Sequence, residues 1–151
     1  MRLSHLQDIT GTATRPSYEP AAHGAGIVHL GLGAFHRAHQ AVMTDAALSH
    51  AGGDWRIIGV SLRSRAVVDA LTPQNGLYTV LERDAAGVTG HVVGAIAQVI
   101  AADSAATLKA LSAPTTRIVT LTVTEKGYGI DRATGLPDPQ NAPVAAALEQ
   151  R

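Results

Sequence analysis

A chain of 151 residues with 46% hydrophobic and 16% charged side chains is long enough to bury one core, so one domain is the expectation. Twelve basic and twelve acidic groups cancel, which removes the long-range field that draws a protein to nucleic acid or to an anionic membrane, and neither is an expected partner. Without cysteine there is no disulfide, thiolate metal site or cysteine nucleophile, and an aromatic share of 3% leaves the core to Val, Ile, Leu and Ala.

Residues 1–25 mix Thr, Pro, Gly and charges without period and carry no apolar export signal, so they read as an arm laid over the domain, and a cytoplasmic setting is expected. Order is predicted from Gly26. The apolar run Ile27-Val28-His29-Leu30 ends at Gly31-Leu32-Gly33, as a buried strand entering a tight turn would, and Phe35 to about His50 carries Ala38, Val42 and Ala46 at helical spacing. Gly52-Gly53 breaks that helix. Trp55 to Val60 is the second predicted strand, Ser64 to Leu71 a short helix, and Pro73-Gln74-Asn75-Gly76 closes the unit.

Two apolar runs, Leu77 to Leu81 and Val88 to Ile100, flank the turn Asp84-Ala85-Ala86-Gly87, which predicts an antiparallel hairpin interrupting an α/β pattern. Asp103 and Ser104 offer capping oxygens for a helix through Leu111, stopped by Pro114. The β-branched run Arg117 to Thr124 suits a central strand, Asp131 to Pro143 a loop, and Val144 onward a helix that is cut off at Arg151. Strands alternating with helices imply a parallel sheet with right-handed crossovers, and the interrupted last helix implies an incomplete chain.

The first strand-to-helix junction carries the sharpest chemical signal. Gly31 permits a tight turn and Gly33 lets a pyrophosphate approach the backbone. Helix N–H groups from Ala34 and Phe35 onward then face that anion, with Leu32 inside the turn. The dinucleotide fingerprint expects a third glycine at position 36, where this chain has His36. His36, Arg37, His39 and Gln40 crowd the first turn as phosphate donors, Arg37 with the best geometry, although the same residues suit a solvated helix face. His36 and His39 find no third ligand nearby, so no metal is expected. At the end of the second strand, Val60-Ser61-Leu62-Arg63-Ser64-Arg65 offers no carboxylate for the ribose of NAD. Ser61 borders the site, and Arg63 or Arg65 accommodates a 2′-phosphate or is an ordinary exposed pair. Glu125, Lys126 and Tyr128 follow the strand ending near Thr124, on the side where open α/β sheets place ligands. There they border a nicotinamide or form a surface ion pair.

Four segments in order, GIVHLGLGAFHRAHQAVMTD, WRIIGVSLRS, NGLYTVLERD and RIVTLTVTEKGYG, resemble the long-chain mannitol dehydrogenase and fructuronate reductase family. In that family a histidine at the third glycine position is usual. The resemblance implies a Rossmann-like, mostly parallel sheet with flanking helices and the hairpin insertion, incomplete in this chain, with residues 26–151 forming a truncated dinucleotide-binding domain. It further implies NAD as cofactor, NADP being possible, and hydride transfer to or from a sugar alcohol or sugar acid. The family's catalytic lysine, with its asparagine and histidine partners, belongs to a later helical substrate domain absent here. No catalytic residue is therefore expected in this chain, and Lys126 is not that lysine. The competing expectation is a non-catalytic nucleotide-binding module.

Overall fold

The computed structural model describes residues 13–62, 64–123 and 127–150, in two compact units, Met1–Leu121 and Thr122–Arg151. In chain order the elements are β1 (Ala25–Leu30), α1 (Ala34–Ala38), α2 (Gln40–Ala51), β2 (Arg56–Val60), α3 (Ala66–Leu71), β3 (Tyr78–Asp84), β4 (Gly87–Val93), β5 (Ile96–Ile100), α4 (Ser104–Leu111), β6 (Ile118–Leu121) and α5 (Ala142–Glu149).

Four strands form one parallel sheet in the order β5-β2-β1-β6, so the chain builds outward from β1 to one side and then returns to pair β6 on the other. Alternation along β1 divides the core between the two faces. Ile27 packs with Ala41 and Leu48 of α2 and with Ile57, Val93 and Ala95, whereas Val28 packs with Val60, Ile100 and Ala110 of α4. Helices therefore cover both faces, as a doubly wound sheet requires. The Asp103 carboxylate caps α4 by accepting the Ala106 N–H at 2.9 Å. The expected hairpin is β3–β4, fully paired from Tyr78 opposite Val93 to Asp84 opposite Gly87, with Asp84 Oδ1 accepting the Ala86 and Gly87 N–H groups across the turn.

Several boundaries differ from the sequence expectation. The single helix from Phe35 to His50 is broken at His39, whose backbone (φ −123°, ψ −82°) leaves the helical region while its ring Nδ1 lies 2.8 Å from the Phe35 carbonyl. The run Val88 to Ile100 is two strands in two different sheets. Gly94 separates them because a Cβ there would meet the Pro20 ring at 2.8 Å, and because its N–H and C=O are taken by Asp45 and Arg56. The segment expected as a central strand is shorter, Ile118–Leu121, and lies at the end of the strand order with Ile118, Val119 and Leu121 exposed. Proline does not exclude helix at the end of the predicted loop, since Pro143 sits in the first turn of α5, where its missing N–H costs nothing.

Two buried charges tie the Met1–Leu121 unit together. Asp45, fully buried on α2, accepts from the Tyr18 hydroxyl at 2.6 Å and the Gly94 N–H at 2.7 Å, and lies 3.2 Å from His91 Nε2. Arg56, also buried, donates to the carbonyls of Gly94, Pro20 and Ile96. Tyr18 and Pro20 are thereby fastened to α2 and β2, and Thr14 adds backbone bonds to Gly90 and Val92 of β4. In the Thr122–Arg151 unit, Asp131 organises its turn through Ala133, Thr134 and Gly135, and Ile130 bridges Pro137.

Candidate functional site

The strand order reverses between β1 and β6, which makes a topological switch point there. From β1 the chain runs on to β2 and β5 on one side and then returns to place β6 on the other, and open α/β sheets bind ligands outside the carboxyl ends of the strands where the order reverses in this way. The glycine turn stands at that point.

Gly31 has φ +97°, a conformation that favours glycine, and the N–H groups of Gly31 and Leu32 both donate to the Val60 carbonyl, at 2.9 and 3.0 Å. The Leu32 side chain is buried with Leu71 and Ile96. It fits because Gly59 opposite it lacks a side chain, a Cβ there falling 2.7 Å from the Leu32 methyls. Leu32 thus offers a ligand only its backbone.

Gly33 is different. Its backbone (φ −84°, ψ 179°) suits any residue, and a Cβ on it would meet nothing closer than the Gly31 carbonyl at 3.8 Å. Neither backbone nor packing calls for glycine there, whereas an anion approaching the main chain does. The Gly33 N–H turns back to the Gly31 carbonyl at 2.6 Å, and the first helical bond runs from the Arg37 N–H to the Gly33 carbonyl at 3.2 Å. The N–H groups of Ala34, Phe35 and His36 therefore lead the helix with no carbonyl ahead of them.

The candidate phosphate donors separate into an inner and an outer set. His36, expected to offer its ring to a phosphate, is turned inward. It is 1% exposed and stacked on His29 of β1, with ring centroids 3.5 Å apart and planes 16° from parallel. Gln40 also faces inward, its amide 3.2 Å from Thr120 Oγ1 of β6, and the same hydroxyl lies 2.8 Å from His29 Nδ1. Burial, reinforced by the neighbouring His29, holds the His36 imidazole down at about 4, and burial lowers His29 as well, so both rings are neutral near pH 7. On the outside, Phe35 is exposed and stacks on His39 at 4.2 Å, and Arg37 is half-buried with its carbonyl accepting from the Tyr78 hydroxyl at 2.6 Å.

At the end of β2, Ser61 is buried and its hydroxyl donates to the Ser64 carbonyl at 2.6 Å, so it shapes the loop. Arg65 is exposed and 3.9 Å from Asp69. Arg63, Glu125 and Lys126 lie outside the described residues, and Tyr128 is exposed in the Thr122–Arg151 unit. Trp55 precedes β2 at the opposite end of the sheet, packed on the core with Arg117 over its ring at 4.8 Å. Sequence reasoning missed Asp45 and His29. A charge at the buried register Ala41, Asp45, Leu48 and a histidine inside an apolar strand were the available signals.

Residues 25–151 match the model of the mannitol dehydrogenase Rossmann domain. The chain belongs to the mannitol dehydrogenase family. Within this family, mannitol 2-dehydrogenase of Cereibacter sphaeroides is 45% identical over 143 residues, covering 91% of this chain and 30% of that protein. D-mannonate oxidoreductase of Escherichia coli (strain K12) is 39% identical over 153 residues, covering 97% of this chain and 32% of that protein. Among solved structures, Pseudomonas fluorescens mannitol 2-dehydrogenase in ternary complex with NAD and D-mannitol superposes with a TM-score of 0.81 at 37% identity, covering 99% of this chain and 32% of that one. The chain spans less than a third of the length of these mannitol dehydrogenase relatives, and the matched part is the Rossmann domain, a fold that takes a dinucleotide at the switch point.

Proposed function

We propose that this chain is the nicotinamide-dinucleotide-binding portion of an oxidoreductase that interconverts a secondary alcohol of a sugar alcohol or sugar acid with the corresponding ketone. The observation that carries the reading is Gly33. It is a glycine at the switch point that neither its backbone angles nor its neighbours require, opening the main chain to a pyrophosphate.

The site fits the cofactor's chemistry. The leading N–H groups of α1 from Ala34 to His36 and the Arg37 guanidinium suit the pyrophosphate. The exposed ring of Phe35 offers an apolar surface beside it. When bound, the nicotinamide supplies or accepts the hydride. The role of this chain's residues is to fix the cofactor's position relative to the sheet, which lowers the entropic part of the barrier. We assign the accompanying proton transfer to a general acid–base group elsewhere in the full-length enzyme, and not to Lys126. NAD is the cofactor we favour. Arg63 and Arg65, following a strand end without a carboxylate, are the residues through which NADP would be accepted instead. The names of the relatives span mannitol and D-mannonate, which supports the substrate class of polyols and sugar acids as a whole.

The test is to titrate the folded protein with NADH and with NADPH, following reduced-nicotinamide emission. The fluorescence of Trp55, at the far end of β2, is expected to respond little. Saturable binding of either cofactor supports the proposal. Absence of binding for both, with the fold verified by circular dichroism, refutes it.

A further inference from the structure

Two histidine rings are buried beneath the glycine turn, and three of their four nitrogens, His29 Nε2 and His36 Nδ1 and Nε2, meet no hydrogen-bond partner among the described residues. Burying polar atoms without partners works against stability, so simple packing, which an apolar ring would serve better, does not account for the pair. Its position is more informative. His29 lies opposite Gly59 on one side and Thr120 on the other, one residue before the end of β1, and His36 is on the first turn of α1 directly above it.

In the general fingerprint, the residue at position 36 is glycine because helix and strand come into close contact there. In this chain an imidazole occupies that position, and its ring lies flat on that of His29, close to parallel. The lower ring is immobilised in its turn, since His29 Nδ1 meets Thr120 of β6 and Thr120 meets Gln40 at the start of α2. The stack thus connects β1, β6, α1 and α2 at the one place where the leading N–H groups of α1 have to be aimed.

We propose that His36 is a positioning residue for the dinucleotide. Its ring, stacked on His29, props the first turn of α1 above β1 and so sets where the N–H groups of Ala34, Phe35 and His36 meet the pyrophosphate, without touching the cofactor itself. The inference rests on the dinucleotide reading of the glycine turn. It assigns His36 a mechanical role where its place in the sequence suggested a direct phosphate contact.

The experiment compares NADH affinity and thermal midpoint in the protein and in three variants. His36→Phe keeps a flat ring of similar thickness without nitrogens, His36→Asn keeps polar atoms without the ring, and His36→Ala keeps neither. The expected result is that His36→Phe binds NADH within about threefold of the parent, while His36→Asn and His36→Ala bind at least ~10-fold more weakly, at temperatures where all are folded. Affinity retained by His36→Asn but lost by His36→Phe would make the ring nitrogens direct ligands and overturn the proposal. A lowered melting midpoint in His36→Ala with unchanged NADH affinity would make the stack merely structural and overturn it equally. If His36→Ala does not fold, the contrast between His36→Phe and His36→Asn decides. A folded parent that binds no NADH would refute the dinucleotide reading, whereas a parent that binds with all variants alike would refute only the role of His36.

Discussion

Acidification perturbs the stacked histidines in a way that can be worked out in advance. A free imidazole titrates near 6.5, and His36 is held at about 4 by burial. Between those values the unfolded chain takes up a proton that the folded chain refuses, so stability falls as the pH is lowered from about 6.5 to about 4 and levels off below. The depression corresponds to a loss of about 3 kcal/mol, a large fraction of the stability of a typical domain. His29, also lowered by burial, acts in the same direction. The assay is urea denaturation from pH 7.5 to 4 on the protein and on His36→Phe. The variant has no proton to gain at that position while His29 remains in both, so the difference between the two curves isolates His36. The parent is expected to lose about 3 kcal/mol more than the variant over this interval, with the difference flat above about pH 7. Parallel pH curves for the two proteins would refute the reasoning.

Replacing Gly33 by alanine is expected to leave stability within about 1 kcal/mol, because its backbone angles and surroundings accept a Cβ, yet to weaken NADH binding at least tenfold. Calorimetry and fluorescence titration on the same sample check both halves. Asp45→Ala removes the acceptor for Tyr18 and for the Gly94 N–H and the partner of His91, and is expected to cost roughly 3 kcal/mol or more in urea denaturation. Arg56→Met removes a charged donor from three carbonyls and is expected to destabilise by a similar amount, roughly 3 kcal/mol, by the same measurement. Gly59→Ala forces a methyl against Leu32, and a loss of about 1–3 kcal/mol is expected together with weaker NADH binding, since Leu32 anchors the glycine turn from below.

The parts of the fold that rest on local chemistry were legible in the sequence. The apolar run before Gly31, the break at Gly52-Gly53, the Asp84 turn and the Asp103 cap all depend on residues within a few positions of one another, and each lies where expected. What escaped notice depends on distant partners. The split of Val88 to Ile100 at Gly94 is made by Pro20, Asp45 and Arg56, none of them near in sequence. The break at His39 interrupts a run whose spacing remains helical on either side, so periodicity does not reveal it. At the site, the glycine turn was visible as a motif, but whether a polar side chain faces in or out was not. His36 and Gln40 looked like donors to a ligand and instead face inward, His36 onto His29 of β1 and Gln40 onto Thr120, which β6 brings from 80 residues away.

That distance also orders events during synthesis. The hairpin β3–β4 pairs neighbours in sequence and can form within microseconds of its emergence, as isolated hairpins do. The edge of β1 that receives β6 must wait, because His29 and Thr120 are separated by 91 positions. At a translation rate of about 5–20 residues per second, the nascent chain carries that unpaired edge for roughly 5 to 20 s. The histidine stack beneath the cofactor turn therefore gains its Thr120 partner only after every other neighbour of β1 has been made. A strand edge left open for that long is an opportunity for chaperones, and the last four-residue strand is what closes it.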